Sequence, residues 1–368
     1  MNVQFMKVLF IFNHPAPYKV NLFNGLAKSV DLDVIFERKY ASDRPKDFYN
    51  CNEYNFNVTF FTKGYVGKEG TNTNELVQYI KSNHQKYDLI ILNGYSHLTE
   101  MKAIKYMHKN NIKFVLYING GVIKHDNIIK KAIKKYFITK ASAYMSPSSK
   151  ASEYLIHYGA DKNKIFEYPY STIFDKDIVS VPLTIEEKNK IRRKWYITED
   201  RPLLITASQF IERKNIEQVL RVFAKNKLPL LLIGSGPLRT DYLEYIRDND
   251  LNNIKMMGFL KKEDLFEVMR SADYFITLSK EDIYGHTINE AMANGLPVIS
   301  SNKVVAASKL IKNGYNGFIV PLKDNEVQAA IDKLDNKMAA NAINVAKENT
   351  FEKEIEAHLE IFKEIIKC

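Results

Sequence analysis

A chain of 368 residues is longer than one ordinary hydrophobic core serves, so two domains are expected. Its 45% hydrophobic and 26% charged content suits a globular protein, and its two cysteines, Cys51 and Cys368, exclude a disulfide framework and fit a reduced cytosolic chain. The net charge of +10 favours polyanionic partners such as nucleic acid, anionic lipid or phosphorylated substrates, although a lysine-rich solvated surface would also account for it.

Short apolar runs alternate with helix-period segments along the chain. The first, residues 7–12, is too short to span a membrane, ends at Asn13-His14-Pro15 and reads as a buried strand rather than a signal peptide. Similar runs follow at 32–36, 88–92 and 113–118, and then at 203–207, 230–233, 254–257, 274–276 and 298–300. Continuous apolar strands separated by helices imply parallel sheets covered on both faces. Tyr54, Phe56, Val58 and Phe60 alternate with polar residues, so that stretch reads as a half-exposed strand. No later run is long and apolar enough to cross a bilayer.

Residues 127–140 form a basic amphipathic segment, with Lys130, Lys131, Lys134, Lys135 and Lys140 beside Ile128, Ile129, Ile133, Tyr136 and Phe137. Either its apolar face is buried in the first domain with the lysines in water, or it rests on an anionic membrane surface. Between 168 and 184 periodicity is lost and Pro169 and Pro182 appear; Thr184 then reads as the N-cap of a helix. The domains are therefore placed at 1–180 and 181–351. A final helix over 352–368, with Ile355, Leu359, Phe362 and Ile366 on one face, is expected to return to the first domain. Each domain is a doubly wound, Rossmann-like α/β sheet, and ligands of such sheets bind at the carboxyl ends of the strands.

The densest chemistry lies at Asp282–Val298. A strand runs into a loop containing Gly285, a helix starts near His286, and Gly295 and Pro297 end it. A helix start offers backbone N–H groups to an anion, Gly285 admits close backbone approach, and Asp282 and Glu290 can each accept two hydrogen bonds from a diol. That combination suits a nucleotide sugar. Two acids with seven residues between them, a small-residue helix, and Gly-x-Pro-Val resemble the donor-site signature of family 4 of the retaining GT-B glycosyltransferases.

The resemblance extends through most of residues 203–320. Thr206-Ala207-Ser208-Gln209-Phe210-Ile211-Glu212-Arg213-Lys214-Asn215 is similar to the family's Gly-Arg-Leu-x-x-x-Lys-Gly stretch, Gly234-Ser235-Gly236-Pro237-Leu238 to its Gly-x-Gly-Pro-Leu turn, and Gly258-Phe259-Leu260 to the loop that meets the base. By that resemblance Lys214 neutralises the donor diphosphate and Glu290 binds ribose. Asp282, where glutamate is usual, binds the transferred sugar, and backbone groups around Gly285, His286 and Thr287 hold sugar and phosphate. Gln209 replaces the usual arginine, and Arg213 could compensate for its charge. In the first domain, His14-Pro15-Ala16-Pro17-Tyr18-Lys19 resembles a subgroup linked to bacterial surface polysaccharides. His14, Pro17, Tyr18, His97, Asn119 and Gly120 are its candidates for the acceptor side.

The resemblance implies transfer with retention from a UDP- or GDP-sugar to a glycan or polyprenyl-linked acceptor; the cysteine usage places the chain in the cytoplasm, and the basic segment 127–140 suggests a place peripheral to the membrane. No cofactor or metal ligand is expected: Asp31-Leu32-Asp33 is spaced as in some metal-dependent transferases, but it opens a strand. Three alternatives stay open. An inverting enzyme would use His14 or His97 as base. A dinucleotide oxidoreductase would need a third glycine that the Gly234 turn lacks. A nucleic-acid-binding protein is suggested by charge alone.

Overall fold

The computed structural model describes residues 6–41, 49, 53–66, 73–198 and 201–367; Cys51 and Cys368 lie outside them. The chain divides into two compact units, Met1–Tyr170 with Phe351–Cys368, and Ser171–Thr350.

The first unit is a seven-stranded parallel sheet in the order β3-β2-β1-β4-β5-β6-β7. Its strands are β1 (Lys7–Phe12), β2 (Asp31–Ala41), β3 (Asn57–Val66), β4 (Leu89–Asn93), β5 (Val115–Tyr117), β6 (Ala143–Ser146) and β7 (Ile165–Glu167). β1 reads Lys-Val-Leu-Phe-Ile-Phe because it lies between β2 and β4 with both faces covered by helices. α1 (Pro17–Leu26), α2 (Glu75–Asn83), α3 (Leu98–Lys109), α4 (Ile128–Ile138) and α5 (Ser149–His157) are its helices before the crossing. The outer strand β3 begins at Asn57, so Tyr54 and Phe56 precede it; Phe56 is buried nonetheless, against Phe23. Asp31 and Asp33 lie at the start of β2, where Lys7 sits 2.5 Å from Asp31 and 3.8 Å from Asp33, an ordinary strand-end ion pair.

The second unit is a six-stranded parallel sheet in the order β10-β9-β8-β11-β12-β13. These strands are β8 (Leu204–Ala207), β9 (Leu230–Ile233), β10 (Ile254–Met257), β11 (Tyr274–Thr277), β12 (Val298–Ser301) and β13 (Gly317–Val320). α6 (Ile185–Lys194), α7 (Ile216–Asn226), α8 (Arg239–Asp248), α9 (Lys262–Ser271), α10 (Thr287–Ala293), α11 (Val305–Leu310), α12 (Asp324–Ile331) and α13 (Met338–Lys347) cover it. Thr184 caps α6 by accepting the Glu187 N–H.

The division falls ten residues before the expected 180, and polar contacts explain why. The aperiodic stretch after Tyr170 is tied to the second unit. Ser171 Oγ donates to the Asn349 carbonyl at 2.8 Å, Lys262 Nζ to Asp177 at 2.7 Å, and the Val179 N–H to the Ala293 carbonyl at 2.9 Å. α6 follows because buried Arg192 reaches Asp273 at 2.8 Å and the Ser271 carbonyl at 2.9 Å.

The last helix, α14 (Phe351–Lys367), belongs to the first unit and packs on α1. Gly25 makes that approach possible, since a Cβ there would stand 2.1 Å from Ile355 Cδ1. Beside it, Lys19 is 1% exposed and sits in a cage of aromatic rings. Its amine donates to Tyr117 Oη at 2.7 Å, lies 4.1 Å from the Tyr170 ring centre and 3.7 Å from Glu354 of α14. Burial lowers the Lys19 pKa to about 8 against the pull of Glu354, and burial with the Lys19 charge lowers buried His358 to about 3.

Candidate functional site

In each sheet the strand order reverses at one point, and that point is where loops diverge to leave a ligand crevice. In the second unit it lies between β8 and β11. The loops leaving those two strands hold the two strongest motifs, residues 209–214 and 279–287.

After β8 the chain makes a single 3-10 turn, Glu212–Lys214, ended by Asn215 in the left-handed conformation. The Asn215 amide bonds the Leu278 carbonyl at the end of β11 at 2.9 Å, which fixes the two loops to each other. Lys214 Nζ then stands 2.5 Å from Asp282 Oδ2, both side chains mostly buried. Arg213 adds a second cation 3.9 Å from the same carboxylate. Asp282 is held by backbone pairing with Val304, and Gly285 has φ +99 with no room for a side chain, because a Cβ would meet Val304 Cγ1 at 2.4 Å. The structure thus brings Lys214, Arg213, Asp282 and Gly285 into one cluster.

Beside them is a hollow of about 160 Å³ at the carboxyl ends of β8, β9 and β10. Gln209, Phe259, Leu260 and Thr287 line it, with Gly234 at its back. Gly234, at φ +146, could carry no Cβ, which would fall 1.9 Å from the Ser208 carbonyl oxygen. Gly258, by contrast, has open space where a Cβ would stand. Thr287 opens α10, with His286 before it, its ring 4.9 Å from that of Tyr284.

Glu290 lies three residues after Thr287 on the same face of α10. Its carboxylate accepts the Thr172 hydroxyl at 2.8 Å. Burial raises its pKa, and Thr172 and the Lys262 charge oppose the rise. Thr172 and Lys262 are partners of this candidate site that sequence reasoning missed. Thr172 sits in the stretch without period, and Lys262 resembles any lysine at a helix start. Lys262 Nζ also bonds the Thr172 carbonyl at 3.1 Å, so it holds the residue that holds Glu290.

In the first unit the reversal lies between β1 and β4. His14 follows β1, with Nδ1 3.3 Å from Tyr49 Oη; Pro17 opens α1, and the Tyr18 ring lies 6.1 Å from that of Tyr170. Asn119 donates to Asn93, at the end of β4, at 2.9 Å, and Gly120 follows at φ 152. His97 precedes α3, and its Nδ1 is 3.2 Å from Glu37 Oε2 while its N–H donates to Glu100 at 3.1 Å. Glu37 and Glu100 are both buried; burial raises the Glu100 pKa well above the carboxylate range, helped by the nearby Glu37 charge. Ligand atoms of Glu37, His97 and Glu100 lie within 4.8 Å of one another, so this group has the spacing to hold a metal ion. The carboxylate partners of His97 were also missed. A carboxylate directly after the apolar run 32–36 and inside β2, as Glu37 is, was the available signal.

The architecture and the switch-point site define a class: two Rossmann-like parallel α/β domains of the GT-B kind. The same fold occurs in the Anabaena protein HepE crystallised with UDP (TM-score 0.73, 17% identity, 98% of this chain and 99% of that one). Within the chain, residues 187–349 match the family model described as "Glycosyl transferases group 1". Curated relatives include N-acetyl-alpha-D-glucosaminyl L-malate synthase of Bacillus anthracis (27% identity, 48% of this chain, 50% of the relative). Another is alpha-monoglucosyldiacylglycerol synthase of Streptococcus pneumoniae (24% identity, 55% of this chain, 46% of the relative). The chain spans about half the length of these relatives.

Proposed function

We propose that the protein is a retaining glycosyltransferase that moves a sugar from a nucleoside-diphosphate donor to a glycan or lipid-linked acceptor. One observation carries the reading. Four residues of the donor motifs, Gln209, Phe259, Leu260 and Thr287, reach one hollow from three separate segments, at the end of the sheet where Lys214 and Asp282 meet.

In this reading the base enters the hollow and Glu290 binds the ribose diol. The diphosphate takes Lys214 away from Asp282, with Arg213 supplying charge where Gln209 has none. Asp282, once released, accepts hydroxyl hydrogens of the transferred sugar. The protein then supplies position and fixed charge, and the departing diphosphate takes the acceptor proton. Two cations at the phosphates support a reaction that needs no metal there, which a chelator titration of turnover tests. The matched relative named for a glucosyldiacylglycerol product makes a lipid acceptor the first to try. The proposal includes surface polysaccharide assembly and a cytoplasmic place at the inner membrane face; no helix among the described residues is long and apolar enough to cross a membrane.

Thermal shift with UDP, GDP and ADP, followed by donor hydrolysis with sugars of the best nucleotide, tests the core claim. Stabilisation should reach about 2.7 kcal/mol at a hundredfold excess over the dissociation constant. No shift with any of the three nucleotides would remove the reading. A second reading, transfer with inversion, is favoured by the His97–Glu37 contact, which orients an imidazole as a general base is oriented. The anomeric configuration of the product decides between them.

A further inference from the structure

Surface helices normally turn their apolar stripe toward the core. α4 does the reverse. Its buried residues are Phe137 and Ile138, at its last turn. Its partly buried Lys134 faces inward and pairs with Asp126 at 2.6 Å. At about 100° per residue, Ile128, Ala132, Tyr136 and Ile129 form the opposite, outward arc. Ile128 is 88% exposed and Ile129 71%, and Ile133 and Tyr136 are exposed beside them. Val122 and Ile123, in the loop before the helix, are exposed as well. Single exposed apolar residues are ordinary, but a contiguous patch of this kind marks an interaction surface.

The borders of the patch say what covers it. Lys131 and Lys135 run along one edge and are exposed, exposed Lys130 marks the first turn on the other, and Lys140 holds its amine 4.9 Å from the Tyr136 ring centre. Residues 127–140 contain five lysines and no acid. An apolar strip rimmed by amines matches a surface with hydrocarbon below and negative headgroups above, whereas a protein partner would have to supply both features at the same spacing. A tyrosine within the strip suits the same boundary, since it joins an apolar ring to a polar hydroxyl.

We infer that the outward face of α4, centred on Ile128, Ile129, Ile133 and Tyr136 and bordered by Lys130, Lys131, Lys135 and Lys140, docks the protein on an anionic lipid bilayer. This deepens the proposed transfer to a lipid-borne acceptor. The burial of the apolar side in the first domain, the other outcome open from the sequence, is limited to Phe137 and Ile138.

The test is flotation of the full chain with phosphatidylcholine vesicles, with and without phosphatidylglycerol. Binding is expected only to the anionic vesicles, falling as salt is raised. Lys131→Gln with Lys135→Gln should weaken partitioning roughly 30-fold, each cation contributing about fivefold. Ile128→Ser with Ile129→Ser should weaken it by roughly 30-fold or more. All these side chains are exposed, so both variants should keep the parent melting temperature and nucleotide-induced shift. Wild-type binding indifferent to phosphatidylglycerol would overturn the inference. So would a dimer in sedimentation equilibrium that the isoleucine variant turns into monomer, because a second copy would then cover the face. The two readings fail separately. Loss of the nucleotide shift with vesicle binding intact removes the transferase reading, and the converse removes only the docking.

Discussion

Replacing Lys214 with alanine separates a phosphate contact from a structural ion pair. In the free protein its amine meets Asp282 at 2.5 Å, and both side chains are about one-seventh exposed. Exposed pairs contribute about 0–1 kcal/mol, whereas breaking a buried pair costs about 3–5 kcal/mol. Arg213, 3.9 Å away, remains to face the orphaned carboxylate. We therefore expect a folding cost of about 1–2 kcal/mol, which lowers the melting temperature of a domain this size by roughly 2–8 °C. Loss of a fixed positive group at the developing diphosphate charge should cost more, about 3–4 kcal/mol, or roughly 10²–10³ in turnover. Release of nucleoside diphosphate, measured well below the variant's melting temperature, reads the second effect without the first. Asp282→Asn gives the opposite split: with no carboxylate competing for Lys214, free nucleoside diphosphate should bind more tightly while sugar transfer falls. Turnover of Lys214→Ala within about threefold of wild type, with the fold intact, would refute the assignment of that amine to the phosphates.

Gly285→Ala should lower the melting temperature by the equivalent of about 1–3 kcal/mol, because it adds a side chain at φ +99 and against Val304, and calorimetry checks it. Glu290→Gln should weaken donor binding by about 1.5–3 kcal/mol through loss of a charged acceptor for the ribose, read by nucleotide titration. Glu290 also has a raised pKa, so the native state binds more protons than the unfolded one above the ordinary glutamate range, and stability falls as pH rises through that window; Glu290→Gln should flatten the fall in a pH series of melts. His358, held neutral to about pH 3, behaves oppositely. Between its unfolded value near 6.5 and about 3 the unfolded chain binds more protons, so stability is lost as pH drops through that range, and His358→Phe should reduce the loss in acid melts.

The parallel architecture was legible because β1, β4, β8 and β11 are buried on both faces, which leaves an unbroken apolar signature. The donor motifs were legible because each is local: a strand, a turn and a helix start within a few residues. Contacts between distant segments were not. Thr172 meets Glu290 across 118 residues and His97 meets Glu37 across 60, with no periodicity to announce either. The pattern of residues 127–140 showed that a helix was amphipathic but not which way it faced. Its inward side holds Lys134, paired with Asp126 and Tyr158, beside buried Phe137 and Ile138, and the partners of Lys134 lie outside the pattern of the helix.

The aromatic cage around Lys19 also imposes an order on biosynthesis. Its rings come from the first 170 residues, but Glu354 and His358 close it, and the whole of Ser171–Thr350 is translated in between. At about 5–20 residues per second, that delay is roughly 10–40 s. For that time the ribosome carries a seven-stranded sheet whose lysine lacks its carboxylate and whose Gly25 groove lacks its helix, while the six-stranded unit, continuous in the chain, can already fold. The domain made first is thus completed last.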